Sequence, residues 1–228
     1  MKKLIAFLFF SGLFPLVFGQ DCKLYYPATE NAQLEYKSFD KKNKLTGMSK
    51  QRVKEIKKGP DAIAATIVAE YFDNKGASQG KVEMTARCEK GVFYVDMKNY
   101  MNQQSMESYK DMEMSMEGGS LEMPSKINVG DVLKPGEMKM TFSSNGMTFM
   151  TMSISISNRK VEAIENVSTD AGTFACYKIS YDATTKMGIT ISSKGVEYYN
   201  DDIGMVKSES FDKKGELQGY TVISSLKK

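Results

Sequence analysis

Methionine stands where chemistry could follow. Met112, Met114 and Met116 alternate with Asp111, Glu113, Ser115 and Glu117, and the pairs Met138 with Met140 and Met150 with Met152 repeat the spacing. Alternate residues of a strand share a face, so each set would present a row of thioethers to one side. Two chemistries suit such a row: coordination of a soft metal such as Cu(I), or a pliable wall that packs a core or cradles an apolar ligand. Met97, Tyr100 and Met101 recur at helical spacing and predict a short helix or lid from Met97 to Tyr109. The expected ligand-binding residues are Met97, Met101, Met112, Met114, Met116, Met138 and Met140. No His or paired thiolate stands among them, so no metal and no cofactor is expected.

The chain contains no histidine at all. Ser-His-Asp and Cys-His catalysis both need an imidazole that titrates near neutrality, as do most zinc sites. Carboxylate pairs or a lysine could still catalyse, but no spacing singles out such a set. The sequence therefore points to a protein that binds rather than catalyses.

The start of the chain sets the compartment. Lys2 and Lys3 precede an apolar run from Leu4 to Phe18, broken by Ser11, Gly12 and Pro15, and Val17-Phe18-Gly19 offers a cleavage site. This predicts a signal peptide over residues 1–19 and a single all-β domain over 20–228, exported to the periplasm or beyond the cell. Gln20 and Asp21 separate Gly19 from Cys22, which does not suit lipidation at that cysteine. No other apolar span is long enough for a membrane helix, so no transmembrane segment is expected after cleavage. With 31 Lys and Arg against 28 Asp and Glu, the charge is too balanced for a nucleic-acid binder.

In an oxidising compartment the three cysteines Cys22, Cys88 and Cys176 can pair. Joining Cys22 to Cys88 would tie the N-terminal segment to the second hairpin, which is the preferred pairing. Cys176 would then be a buried thiol packed as a small apolar residue.

These groups must be positioned by strands. Phe39-Asp40-Lys41-Lys42-Asn43, Phe72-Asp73-Asn74-Lys75-Gly76 and Phe211-Asp212-Lys213-Lys214-Gly215 repeat one pattern, each followed by a second glycine at Gly47, Gly80 or Gly219. Asp bonds its own turn and Gly or Asn supplies a positive φ, so each copy predicts a hairpin. Runs rich in Val, Ile, Thr, Tyr and Phe fill the rest, with about 13 strands at hairpin spacing. Met138–Ser143, Thr148–Ser157, Lys160–Val167, Met187–Ser193 and Val196–Tyr199 read as separate strands, while 118–136 reads as an irregular bridge. The fold class is all-β, a curved antiparallel sheet or partly closed barrel with one short helix or lid.

Two charged features each have two readings. Lys50, Arg52 and Lys54 share a face and suit either an edge strand guarded against pairing or a contact for anionic headgroups or polysaccharide. Asn200-Asp201-Asp202 suits a solvated turn or a Ca²⁺ ligand set.

Asp170-Ala171-Gly172-Thr173-Phe174-Ala175-Cys176, followed by Glu197-Tyr198-Tyr199 and Ile203-Gly204-Met205-Val206-Lys207, resembles the pattern of a family of secreted bacterial β proteins of unknown function. Its usual form opens Pro-Ala-Gly-Thr-Phe-x-Cys, so Asp170 departs from it. Pro124 to Asp131 and Cys88 to Met97 are similar to further blocks of its TapB-like members. The resemblance implies a curved sheet like the half-barrels of periplasmic lipoprotein carriers, and it implies no catalytic residue. The expected function is binding of an apolar or lipid-like ligand on a concave sheet. The alternative is a protein interaction module that offers a sheet edge to an envelope partner.

Overall fold

The computed structural model describes residues 22–97 and 112–228. The expected signal peptide and all of the expected Met97 to Tyr109 lid but Met97 itself, Met101 included, lie outside them. The strands are β1 (Gln33–Asp40), β2 (Leu45–Lys58), β3 (Ala62–Asp73), β4 (Ser78–Glu89), β5 (Val92–Asp96), β6 (Glu113–Gly118) and β7 (Ser120–Pro124). They continue as β8 (Gly136–Ser144), β9 (Met147–Thr169), β10 (Gly172–Met187), β11 (Ile189–Asn200), β12 (Gly204–Asp212) and β13 (Leu217–Lys227). All lie in one antiparallel sheet in the order β6-β8-β9-β10-β11-β12-β13-β1-β2-β3-β4-β5-β7. The sheet curls into a nearly closed barrel with one unsealed seam. No described helix is long and apolar enough to cross a membrane.

The three repeated turns are built alike. Asp40 Oδ1 accepts the backbone N–H of Lys42 and Lys44 at 2.8 and 2.9 Å, Asp73 Oδ1 those of Lys75 and Ala77, and Asp212 Oδ1 those of Lys214 and Glu216. Asn43, Gly76 and Gly215 sit at φ 60, 85 and 86°, the left-handed conformation that such a loop requires. In each hairpin the pairing then skips one residue before the second glycine, a bulge that twists the strands inward. These hairpins stand side by side, because β12, β13, β1, β2, β3 and β4 are consecutive neighbours in the sheet.

The same backbone bonds lower the pKa of all three carboxyls. A folded pKa below the unfolded value gives stability that is present above about pH 4 and is lost as pH falls through the folded values. Asn keeps the accepting oxygen and removes the proton. The Asp40→Asn, Asp73→Asn, Asp212→Asn variant should therefore show a shallower fall of urea midpoint between about pH 5 and about pH 2.5 than the parent. Equal falls would contradict this.

Antiparallel strands alternate up and down, so five hairpin tips, at 41–44, 74–77, 145–146, 188 and 213–216, share one end of the barrel. Closure occurs where β6 passes into β7. β6 pairs with β8, and after Gly118 and Gly119 the same chain crosses over so that β7 pairs with β5. Gly119 spans the gap, donating to Glu137 O at 3.0 Å and accepting from Met97 N at 2.8 Å. The segment 118–136, expected to be irregular, therefore contains the closing strand; its short apolar run gives little periodic signal.

Other sequence expectations change with the register. The runs read as separate strands at Thr148–Ser157 and Lys160–Val167 form one strand, β9, which absorbs its break as a bulge at Asn158, φ 51°. Ile189–Asn200 likewise runs through Ser193 to Val196 as β11. The edge reading of Lys50, Arg52 and Lys54 is overturned, since β2 is paired on both sides by β1 and β3. Cross-strand partners satisfy that basic row: Lys54 meets Glu83 at 2.8 Å, Lys50 lies 3.9 Å from Glu35, and Arg52 donates to Asn31 Oδ1.

Candidate functional site

Residues 22–32, ahead of β1, cross the end of the barrel opposite the hairpin tips and form its floor. Leu24, Tyr25 and Ala32 are buried there. Lys23 N donates to Ser125 Oγ at 2.9 Å, the Tyr25 hydroxyl to Pro124 O at 3.1 Å, and Asn31 N to Val53 O at 2.9 Å. A Cys22–Cys88 disulfide, with Cα atoms 5.6 Å apart, fastens the start of this strap to β4. Gly204 lets it pass, because any Cβ there would overlap the Tyr25 carbonyl. Tyr25 then stacks edge-on to Tyr199 at 6.3 Å and tilts against Phe93 at 5.6 Å. In the turn above, Asp201 is held by Lys23 at 2.6 Å. Among the described residues no group of His, Cys, Asp and Glu is placed to hold a metal.

Above the floor lies a cavity of about 610 Å³, which runs up to the lysine-bearing hairpins, where Phe39, Phe72, Asp73 and Tyr220 border it. That volume falls within the usual range for small-molecule sites. Tyrosine is the most frequent residue of its wall, with Tyr25, Tyr26, Tyr36, Tyr71, Tyr94, Tyr181, Tyr199 and Tyr220 set among serines, threonines and the carboxylates Asp73, Asp96 and Glu209. Ile67, Met84, Phe93, Val95 and Met205 supply apolar surface between them, and Glu197 places a buried carboxylate on the wall. Tyrosine offers both an apolar ring and a polar tip, so such a wall suits an amphipathic guest.

Burial raises the pKa of Tyr25, Tyr36, Tyr71, Tyr181 and Tyr199, and the Glu197 carboxylate adds to the effect at Tyr181 and Tyr199. These hydroxyls stay protonated across the physiological range. Several wall hydroxyls are already committed: Tyr25 to Pro124 O at 3.1 Å, Tyr26 to Gln51 Oε1 at 2.7 Å, Tyr36 to Met205 O at 3.0 Å and Tyr220 to Asn43 Oδ1 at 3.1 Å. Tyr181 lies flat over Gly195, its partner on β11, and a Cβ at position 195 would overlap the ring. The missing side chain thus leaves room for the Tyr181 ring against β11. Thr85, Tyr94 and Asp96 are shared with a second cavity of about 220 Å³ in the seam, next to Gly118 and Gly119.

The methionines expected to bind ligand are placed differently. Met97, Met138 and Met140 are fully buried with Leu121, Met123 and Phe142 in the main core, and Met112 and Met116 pack against it. Met114 is 49% exposed. Met116 borders the seam cavity, but none of the six described methionines of that set lines the larger one. Sequence reasoning missed the tyrosines because they come from the strap and from separate strands with no common spacing. The available signal was compositional, 12 tyrosines with no tryptophan. Cys176 is buried and its thiol is pushed up to about 12 by burial, which keeps it unreactive.

A family model described as DUF3108-like matches residues 29–223. A proposed exported protein of Bacteroides fragilis with a YmcC-like fold is 27% identical, with a TM-score of 0.77 over 91% of this chain and 100% of that one. A proposed lipoprotein of Parabacteroides distasonis is 25% identical, with a TM-score of 0.78 over 91% of this chain and 100% of that one. No functionally curated protein matches.

Proposed function

The chain belongs to the DUF3108-like family, and from that premise we propose that it is an exported, non-enzymatic binding protein that holds an apolar or lipid-like ligand in the tyrosine-walled cavity. The observation that carries this reading is the cavity itself: about 610 Å³, floored by a disulfide-fastened strap and extending to the rim. Tyrosine rings offer contact for a hydrocarbon chain, and their neutral hydroxyls suit a polar head. Export is supported by the signal-like start and by the descriptions of the two similar bacterial proteins, with the periplasm or the exterior as destination. Within the family, the similarity of the Pro124 to Asp131 and Cys88 to Met97 blocks to those of TapB-like members supports placing the chain near them. The absence of histidine and the protonated, buried Cys176 support a non-catalytic role.

The test is to purify the protein from its own compartment, extract it with organic solvent and identify the extract by mass spectrometry. A stoichiometric lipid-like species is expected. Gly195→Val should lower its occupancy about tenfold, because the new side chain drives the Tyr181 ring into the space a ligand would use. A protein that is empty from native cells, or occupancy unchanged in the folded Gly195→Val variant, would refute the reading. Activity in a broad hydrolase screen, abolished by changing one acid, would refute the non-enzymatic part.

One observation favours the alternative of a protein interaction module. β4 pairs with β5 only from Arg87 to Glu89, so among the described residues Ser78 to Ala86 have no strand on their outer side. That edge could accept a partner strand. An empty protein that captures one envelope partner, with capture lost when Pro replaces Val82, would select this reading.

A further inference from the structure

The end of the barrel carrying the five hairpin tips is divided in two. On the tips of β12–β13, β1–β2 and β3–β4, Lys41, Lys42, Lys44, Lys75, Lys213 and Lys214 are all exposed. No ion pair engages any of them among the described residues. Asp40, Asp73 and Asp212 are turned onto their own loop backbones, so that the exposed Glu216 is the one other acid on these three tips, against six exposed lysines.

The neighbouring hairpins, β8–β9 and β10–β11, expose large apolar side chains beside their tips instead. Met147, Phe149, Met187, Ile189 and Ile191 are 74, 69, 42, 70 and 56% exposed. Large apolar side chains concentrated at one end need a reason, whereas scattered ones do not. Pairing of β9 with β10 ends at Ser153 and Lys186, so the β8–β9 hairpin carries Met147 and Phe149 beyond its neighbour. No acidic residue occurs from Met138 to Val161 or from Ala183 to Val196, and Lys186 and Lys194 flank the second apolar tip.

We propose that this end of the barrel docks on an anionic phospholipid bilayer, with the β8–β9 and β10–β11 tips in the interface and the lysine tips on the headgroups. Stable attachment of a peripheral protein generally takes two signals, an inserted apolar element and a basic patch, and this rim supplies both on adjacent hairpins. Lys186 and Lys194 have stems long enough to keep their charges at headgroup level while the tip between them is immersed. The two apolar hairpins carry no carboxylate near their own tips, so the repulsion an anionic surface would impose there comes only from neighbouring strands, where Glu113 stands opposite Ser143 and Asp212 opposite Ser193. The larger cavity reaches the same rim, so docking would bring its mouth to the bilayer. The docking inference rests on the rim and not on the cavity's contents.

The experiment is co-sedimentation of the purified protein with vesicles of phosphatidylethanolamine and phosphatidylglycerol, compared with vesicles of phosphatidylcholine alone. Binding to the first, weakened by salt, is expected. The variant Met147→Ser, Phe149→Ser, Ile189→Ser and the variant Lys41→Glu, Lys42→Glu, Lys213→Glu, Lys214→Glu should each bind at least about tenfold less. Lys57→Glu with Lys58→Glu, at the opposite end, should bind as the parent does. All substituted positions are exposed, and circular dichroism checks that each variant folds. No sedimentation with anionic vesicles, or equal loss in the Lys57 and Lys58 control, overturns the proposal. Vesicle binding by a protein that yields no extracted lipid would sustain docking while removing the carrier reading.

Discussion

Arg159→Ala should lower folding stability by about 3 to 4 kcal/mol and should loosen the barrel at its seam first. Arg159 is 4% exposed, and its guanidinium Nη1 donates to Glu122 O at 2.7 Å and to Lys134 O at 2.9 Å. Glu122 lies on β7 and Lys134 on the approach to β8, so one side chain from β9 gathers chain from both sides of the closure. The bulge at Asn158 is what aims it there, because the register slips opposite Tyr181. Alanine would leave two carbonyls short of a donor, whereas the exposed Lys134–Glu122 ion pair at 2.7 Å compensates little.

Arg159→Met, which keeps the stem but no donor, should fall nearly as far as alanine; Arg159→Lys should fall between, since one ammonium cannot reproduce the planar fork. Urea unfolding measures the loss. Hydrogen exchange locates it, with amides of β7 exchanging faster while β1 to β3 keep their protection. A cost below about 1 kcal/mol would mean that closure does not depend on this residue.

The seam also shows what a sequence can and cannot reveal. The three Asp-centred turns were legible because everything that makes them is local: the carboxylate reaches amides two and four residues on, and Gly or Asn sits where φ must be positive. Strand content was legible for the same reason. Arg159 was not, because its partners lie 37 and 25 residues away and its inward direction comes from a bulge rather than from alternation. A break at Ser157-Asn158 looks the same in sequence whether it ends a strand or kinks one.

The cavity was harder still. Alternating methionines on β6 and β8 gave a visible pattern, yet apart from the half-exposed Met114 they pack with Leu121, Met123 and Phe142 in the core. The tyrosines that face open space converge only after 13 strands have curled. Lys50, Arg52 and Lys54 carried the same ambiguity. A basic row is compatible with an edge or with an interior strand whose neighbours supply acids, and only the sheet order decides.

Removing the disulfide with Cys22→Ser and Cys88→Ser should cost about 4 kcal/mol, from the chain entropy of a loop of this size. The bond spans 66 residues, from the strap to the end of β4. Its stabilisation is mostly a restriction of the unfolded chain, so the loss should appear as a lower urea midpoint with the native far-ultraviolet spectrum retained. The native state is affected too, since Lys23, Leu24 and Tyr25 would be left to non-covalent contacts, among them those with Ser125, Pro124 and Asp201 and the packing of Tyr25 on Phe93 and Tyr199. Fraying of that strap would open the cavity at its floor as well as its rim. Both serines are needed, because a single change would leave a thiol free to pair between molecules. Cys176 offers no route for rearrangement, as burial holds it protonated and thiolate is the attacking species. Parent protein in a strong reductant should therefore converge on the midpoint of the double variant. A parent midpoint that ignores the reductant, once mass spectrometry confirms two new thiols, would show that the non-covalent contacts of the strap suffice on their own.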